Sequence, residues 1–441
     1  MNSLQIRFEA VLDRLALPGG TVLVAVSGGP DSIALLDLAS QTRAARGFNL
    51  RVAHFDHGIA AASETVARAV AALAQDYHLP VDSVRAGLGP ATSETRARNA
   101  RMAWFRALLA QYQPAILMTA HHADDQVETV LMRFLKGSGP AGLAGIAEHR
   151  GSIVRPLLTF SRAELAAHVH IIGAKPWTDP ANSDPRHLRG WVRHTLVPAL
   201  RDRLPRVEEN LLVARRVYEE DRRGWDGLVS ELKALDFRVE PAGTSVAAHS
   251  LVGYSSAVVR SLLRAVGRRS QIQIGSRELD RLQTLIQQGH TGKRVDLRSG
   301  AQAEYAFGRL QLFRPAAHLD DVLDLGATAG EAKVGSWQVA WGLDTAPEGL
   351  DRVGFRTWLV PNGLAAVRSW RRGDRIRPLR GRGSRLVVRC MQDRKIPSGQ
   401  RSDWPILVCQ DEVVWVPGVC RGDGLVPTPG TRAMWIDARP S

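Results

Sequence analysis

The fold is decided by TVLVAV at residues 21–26, followed directly by SGGPDS at residues 27–32. The apolar, β-branched run predicts a buried strand, and the pattern from Ser32 to about Arg46 predicts a helix. Two glycines between them allow a tight turn whose backbone can approach a ligand closely. Successive N–H groups in such a turn, followed by a helix N-terminus, attract anions. The stretch therefore predicts a loop for phosphate or pyrophosphate, made of Ser27, Gly28, Gly29, Pro30, Asp31 and Ser32.

Strands and helices alternate through the first half of the chain. LRVAHF at 50–55 and AILMTA at 115–120 predict two more strands, and helices are predicted at about 93–112 and 122–136. This alternation is typical of βαβ units and predicts an α/β domain with a parallel sheet. Because ligands of such sheets bind at the carboxyl ends of the strands, polar residues just after each strand are the candidate site.

HFDHG at 54–58 follows the second strand and contains Asp56, which can receive an amine or a metal ion. HHADDQVET at 121–129 follows the third strand and adds His121, Asp125 and Glu128. Carboxylates at a helix start also form ordinary acidic capping turns, so that alternative stays open. Magnesium that bridges phosphates usually needs one or two carboxylates, and Asp31 is our candidate ligand.

Arg98 and Arg101 lie one helical turn apart in the predicted helix at 93–112. Exposed arginine pairs are commonly only solvated, and the functional alternative is a clamp for phosphate or RNA. No GxxxxGK[ST] sequence occurs, so the loop at 27–32 is not a Walker loop.

Composition limits the class of protein. The chain has 441 residues, which predicts two to four domains, and no apolar run reaches the roughly 18–20 residues of a membrane span. The N-terminus has no apolar segment of a signal peptide, and the three cysteines fit a reducing compartment, so we expect a cytoplasmic protein without a membrane. The net charge of +14 indicates a polyanionic partner, and a generally arginine-rich composition is the alternative.

The excess charge is concentrated near the C-terminus. Residues 368–401 contain twelve Lys or Arg and two Asp. Short predicted strands such as RLVVRC at 385–390 and EVVWVPG at 412–418 accompany it. We predict a catalytic domain at 1–205, a mostly helical substrate-binding domain at 206–315, a linker at 316–350 and a small α+β basic domain at 351–441.

The motifs SGGPDS, HFDHG, AHHADDQVET and RPLL at 155–158 resemble, in this order and spacing, the tRNA(Ile)-lysidine synthetases of the PP-loop ATP pyrophosphatase superfamily. WTDPANSD at 177–184 and the stretch from Arg189 to Arg193 continue the resemblance, with Ala181 and Gly190 replacing a serine and an asparagine of the family pattern. After Val367 the chain resembles the family's C-terminal tRNA-recognition domain.

The resemblance implies that ATP, with Mg²⁺, adenylates the wobble cytidine of a minor isoleucine tRNA with a CAU anticodon. L-lysine then displaces AMP, after pyrophosphate has already left. A homodimer is compatible with the sequence. The implied roles are catalysis by Asp31, Asp56, His121, Asp125 and Arg101, lysine binding by Asp56 and Glu128, and tRNA binding by Arg98, Arg189, Arg193, Arg371, Arg372 and Arg375.

The nearest alternative is a PP-loop tRNA thiolase. Thiolation needs a sulfur carrier near the ATP site, commonly a cysteine pair, and the first 389 residues contain no cysteine. A small-molecule amidating enzyme would leave the basic C-terminus unexplained. A non-catalytic RNA-binding protein would leave the intact SGGPDS and DDQVET motifs unexplained.

Overall fold

The computed structural model describes residues 3–58, 63–89, 92–177, 188–240, 243–315, 322–326, 329–360 and 365–440. The chain divides into two compact units, residues 1–222 and 223–441. The division into three domains and a linker stays a prediction.

Helices cover most of the first half and part of the middle of the chain. They are α1 (Ser3–Leu15), α2 (Pro30–Arg46), α3 (Ser63–Asp76), α4 (Glu94–Gln111), α5 (Ala123–Leu135), α6 (Pro140–Leu143), α7 (Arg162–Ile171), α8 (Leu188–Trp191), α9 (Val197–Arg203), α10 (Val207–Glu231), α11 (Ser256–Arg269), α12 (Ser276–Gln288) and α13 (Val387–Asp393). A π-helical turn at Val192–Leu196 joins α8 to α9.

The strands of the N-terminal unit are β1 (Gly20–Ala25), β2 (Phe48–Asp56), β3 (Val81–Arg85), β4 (Ala115–Met118), β5 (His149–Arg150) and β6 (Ile153–Val154). Those of the C-terminal unit are β7 (Arg238–Glu240), β8 (Gly243–Ala247), β9 (Lys293–Asp296), β10 (Gln302–Ala306), β11 (Arg309–Phe313), β12 (Leu323–Asp324), β13 (Gly330–Val334), β14 (Trp337–Thr345), β15 (Arg356–Leu359), β16 (Ala365–Ser369), β17 (Arg375–Ile376), β18 (Arg385–Leu386), β19 (Pro405–Cys409), β20 (Glu412–Val416), β21 (Cys420–Arg421) and β22 (Arg432–Pro440).

The N-terminal unit is built on a six-stranded sheet in the order β3-β2-β1-β4-β6-β5. All its pairs are parallel except β5 with β6. Its central strand β1 is apolar on both faces, because α1, α2, α3 and α7 pack on one side and α4 on the other. The predicted α/β class, parallel sheet and three strands are confirmed.

The C-terminal unit begins with a mostly helical region, as predicted. Its α11 and α12 pack on a five-stranded sheet in the order β7-β8-β11-β10-β9. Two further sheets follow from residue 323 onward. One contains β16, β19 and β20, and the other has the order β13-β14-β22-β15.

Two stretches differ from the sequence-based expectation. RLVVRC was predicted as a strand, but only Arg385–Leu386 is extended and α13 follows at once. The buried residues Val387, Cys390 and Met391 have helical spacing, which explains the difference. Within the predicted linker, β14 pairs along its whole length with β22, and Trp337, Val339 and Trp341 alternate inward. Glycine and alanine residues around this strand obscure, in the sequence, the alternation of buried and exposed side chains.

No helix in the described ranges has both the length and the apolarity that crossing a membrane requires.

Candidate active site

The loop at 27–32 closes on itself between β1 and α2. The N–H of Ser27 donates to Ser32 Oγ over 3.1 Å, and Ser32 Oγ donates to the carbonyl of Gly29 over 2.9 Å. Gly28 has a φ of 85°, and a Cβ there would lie 2.8 Å from a methyl group of Val66. Both the conformation and the space therefore require glycine. The loop presents hydroxyls and the start of α2, whose first N–H groups have no partner within the helix.

His122 lies among carboxylates from two helices. Its Nε2 is 3.5 Å from Asp31 Oδ2 and 3.6 Å from Asp125 Oδ2, and its Nδ1 is 3.4 Å from Asp124 Oδ2. Asp31 is in the first turn of α2, and Asp124 and Asp125 are in the first turn of α5. The cluster therefore connects the carboxyl ends of the neighbouring strands β1 and β4.

These contacts fix the charges in the cluster. Burial alone would lower the pKa of His122, but the carboxylates of Asp124 and Asp31 outweigh it and raise the pKa to about 9. Burial would raise the pKa of Asp124, but His122 and the N–H of Arg162 lower it to about 2. At neutral pH the cluster therefore contains an imidazolium beside ionised carboxylates.

His121 behaves in the opposite way. Burial lowers the pKa of His121 to about 4, against the attraction of Asp125, and the positive charges of Arg155, Arg189 and Arg101 add to the lowering. Its Nδ1 is 3.0 Å from the hydroxyl of Thr119. Two adjacent histidines therefore differ in charge at neutral pH, because carboxylates outweigh the burial of His122, whereas burial dominates at His121 and nearby arginines add to it.

Glu128 is buried and lies between two arginines. Its Oε2 accepts from Arg189 Nε over 2.7 Å and from Arg193 Nη2 over 3.0 Å, while Oε1 accepts from Arg193 Nε. Arg189 Nη2 also donates to Asp125 Oδ1 over 2.6 Å. Both oxygens of Glu128 are thus engaged, which favours a positioning role over the predicted direct contact with lysine. Arg189 and Arg193, predicted to contact tRNA, are held by the same carboxylates.

Asp56 lies at the end of β2 and is 7% exposed. Its Oδ1 accepts the N–H of Gly58 over 2.7 Å, and its Oδ2 is 3.5 Å from Arg85 Nε. Because β2 is the other neighbour of β1, Asp56 is at the same sheet edge as the loop but on the side opposite His122. One carboxylate oxygen of Asp56 therefore keeps only a long contact and can take a further cation.

The other predicted arginines fall into two groups. Arg98 and Arg101 are both on α4, and the charge of Arg101 contributes to the lowered pKa of His121. Arg371, Arg372 and Arg375 are exposed in the C-terminal unit. Of the twelve cations at 368–401, two are not exposed: Arg368 pairs with Asp374, and buried Arg401 donates to the carbonyl of Ile396. The remaining ten are exposed, and three of these also make side-chain contacts within the unit: Arg375 with Ser384, Arg385 with Asp393, and Arg389 with Gln392.

Asp31 suits a magnesium ion bound together with phosphates. Its Oδ1 is buried and accepts no hydrogen bond from the described residues, although Oδ2 faces His122. Among those residues no group of three or more potential ligands surrounds a metal-sized space. One carboxylate with phosphate oxygens is the arrangement that Mg²⁺ commonly adopts, so the residues present fit the ion.

The sequence-based site omitted His122. Its position directly before two aspartates was a signal, but only the adjacency of β1 and β4 brings Asp31 to it. The stretch at 178–184 of the WTDPANSD motif lies outside the described residues.

Comparisons with known proteins identify the family of this chain. The PP-loop domain family matches residues 2–200, and the TilS substrate C-terminal domain family matches residues 365–435. A tRNA(Ile)-lysidine synthase of Symbiobacterium thermophilum is 33% identical, over 97% of this chain and 96% of that protein. Those of Geobacter sulfurreducens and Methylococcus capsulatus are 30% and 29% identical, over 95% and 91% of this chain and 93% and 92% of those proteins. The chain belongs to the tRNA(Ile)-lysidine synthase family.

Proposed function

We propose that this protein uses ATP to join L-lysine to the wobble cytidine of an isoleucine tRNA with a CAU anticodon. The cytidine is first adenylated with release of pyrophosphate, and the side-chain amine of lysine then displaces AMP. Membership of the family and the exposed basic surface at 368–401 support this proposal. Its substrates, tRNA and ATP, would be met in the cytoplasm.

The observation that carries the proposal is the meeting of Asp31, His122 and Asp125 beside the loop at 27–32. The loop would hold the pyrophosphate as its charge develops, because preorganised donors stabilise a leaving anion. Asp31 would hold Mg²⁺, which supplies charge neutralisation to the phosphates when bound. The imidazolium of His122, 3.5 Å from Asp31 Oδ2, would hold this carboxylate in place next to the loop.

For the second step we propose that Asp56 receives the ammonium group of lysine. Glu128 and Asp125 would hold Arg189 and Arg193 in place next to His121, and these arginines with Arg101 would face the anionic substrates. Neutral His121 can accept a proton from the attacking amine. A cytidine must leave its stack to react, which an anticodon loop permits at low energy.

The test is mass spectrometry of an isoleucine tRNA transcript after incubation with ATP, Mg²⁺ and lysine. We expect the mass increase of one lysine less one water, confined to the fragment that contains the anticodon. Omission of lysine should leave adenylated tRNA or no product. Incorporation of sulfur from an added carrier, with no lysine adduct, would instead support the thiolase alternative, against which the absence of cysteine before Cys390 already argues.

A further inference from the structure

Arg155 is a half-buried cation that the proposed steps do not use. It directly follows β6, where its N–H donates to the carbonyl of Glu148 over 2.9 Å. Its Nη1 donates to the carbonyl of Ala147 over 2.7 Å. Its Nε is buried and has no acceptor among the described residues. The Nη1 nitrogen of the guanidinium is therefore held by a carbonyl, while Nε lacks the acceptor that a buried donor requires.

The residue before Ala147 is held by the helix that carries Asp124 and Asp125. Gln126, on α5, donates through Nε2 to the carbonyl of Ile146 over 2.8 Å and accepts the N–H of Ile146 over 2.7 Å. Its side chain is almost completely buried. Because α5 also carries Asp124 and Asp125, the segment next to Ala147 is anchored to the element that forms the histidine–aspartate cluster.

The surroundings of Arg155 are positive. Burial, Arg150 and Arg98 lower its pKa to about 10, so it stays protonated at neutral pH. None of these three arginines forms an ion pair with a carboxylate in the described part of the chain. Arg155 Nε is buried without an acceptor among the described residues, and Arg98 and Arg150 near it are exposed. Because a buried donor normally has an acceptor, this arrangement indicates that an anion from outside the chain completes the group.

The strand order indicates which anion this is. Along the sheet, the loop at 27–32 follows β1, the histidines follow β4, and Arg155 follows β6. Neighbouring strands are roughly 4.8 Å apart, which puts the ends of β1 and β6 about 10 Å from each other. The histidine–aspartate cluster therefore lies between two anion-binding features. If the loop at 27–32 binds the pyrophosphate of ATP, then Arg155, on the other side of the cluster, faces the other polyanion of the proposed reaction, which is the RNA.

We propose that Arg155, together with Arg98, binds a backbone phosphate of the RNA next to the nucleotide that is adenylated. This inference rests on the proposed function. The contact between the arginines and the phosphate would fix the position of that nucleotide in the site, since phosphate contacts set register without reading sequence. A guanidinium suits this contact because its planar donors can engage two phosphate oxygens together.

The test measures the binding of unmodified tRNA to the full-length variants Arg155→Gln, Arg155→Lys and Arg98→Gln at several salt concentrations. We expect roughly tenfold weaker binding for Arg155→Gln, and a salt slope that is smaller by about 0.7–0.9 for the one lost phosphate contact. Arg155→Lys should recover part of the affinity, because it keeps the charge but loses the planar fork. The KM for ATP should not change.

Arg106→Gln is the matched control, because Arg106 is exposed on the same helix as Arg98, two turns further along. It should bind tRNA like the wild type. Arg98 is exposed, so its variant decides the question even if Arg155→Gln fails to fold. Unchanged affinity and slope for Arg98→Gln and for every folded Arg155 variant would overturn the inference, as would a rise in the KM for ATP alone. Failure of the wild type to form lysidine would count against the proposed function, whereas these binding measurements do not depend on product formation.

Discussion

The buried imidazole of His122 lies 3.5 Å from the carboxylate of Asp31, although 91 positions separate the two residues in the chain. This contact connects the loop at 27–32, which is predicted to bind phosphate, to the acidic helix start that follows β4. It also leaves Asp31 Oδ1 without a hydrogen bond from the described residues. The pair thus provides both a fixed charge and an open oxygen beside the proposed pyrophosphate site.

Asp31→Ala should lower adenylation of tRNA by roughly 10²–10³-fold, because it removes the proposed magnesium ligand and the partner of His122. The affinity for tRNA should stay nearly unchanged, since the proposed role of Asp31 is toward the phosphates of ATP. ATP–pyrophosphate exchange in the presence of tRNA, alongside filter binding, measures both effects. An equal loss in the two assays would contradict this assignment. Ser27→Ala should also lower the adenylation of tRNA.

His122→Gln should change how stability depends on pH. The folded-state pKa of His122 is raised from 6.5 to about 9, so its protonation stabilises the fold fully below pH 6.5 and this contribution is lost as the pH rises through 9. The shift corresponds to about 3 kcal/mol in the free energy of unfolding. Denaturant titrations from pH 6 to 9.5 should therefore show the advantage of the wild type over the variant shrinking with increasing pH. A constant difference across that window would contradict the charge assignment.

The variants Asp56→Asn and Glu128→Gln should distinguish a residue that binds lysine from one that positions arginines. Asp56→Asn should raise the KM for lysine about ten- to a hundredfold, because it removes a charge-assisted contact of about 1.5–3 kcal/mol. Glu128→Gln should mainly lower kcat, because it frees Arg189 and Arg193. Steady-state kinetics with lysine as the varied substrate distinguish these outcomes. If Glu128→Gln raises only the KM for lysine, then the carboxylate contacts lysine directly, as the sequence first suggested.

Neutralising exposed arginines at 368–401 should weaken tRNA binding. Arg371→Gln with Arg372→Gln should reduce the salt slope by roughly one unit for each lost phosphate contact. Arg432→Gln is the control, because Arg432 is exposed in β22 outside this basic segment. Binding isotherms at several salt concentrations provide the measurement. The same slope for the double variant and the wild type would mean that these arginines only increase solubility.

Glu304→Gln should destabilise the C-terminal unit by about 1.5–3 kcal/mol. The carboxylate of Glu304 is buried and accepts the N–H and hydroxyl of Ser398, over 3.1 and 2.7 Å, and the N–H of Gly399 over 2.8 Å. The NH₂ group of a glutamine amide would face the N–H and O–H donors that the carboxylate now accepts. Chemical denaturation measures the change, and Glu331→Gln, at an exposed position of β13, should stay within about 0.5 kcal/mol of the wild type.

The sequence by itself determined the elements whose signals are local. The run at 21–26, the glycines at 28 and 29, and Pro30 specify a strand, a turn and a helix start without help from distant residues. The parallel sheet followed from the alternation of such units, and with it the expectation that the motifs after β1, β2 and β4 share one edge.

Only the tertiary structure decided the partners of each side chain. Three of these contacts depend on the strand order and on how α5 packs. Asp31 faces His122, Glu128 accepts from Arg189 and Arg193, and Arg155 Nε has no acceptor among the described residues. The same holds for 387–393, where β-branched residues favour a strand but the buried face of the fold selects a helix. Hydrophobic periodicity records which face of an element is buried, whereas the identity of the charged groups brought together depends on contacts between residues far apart in the chain.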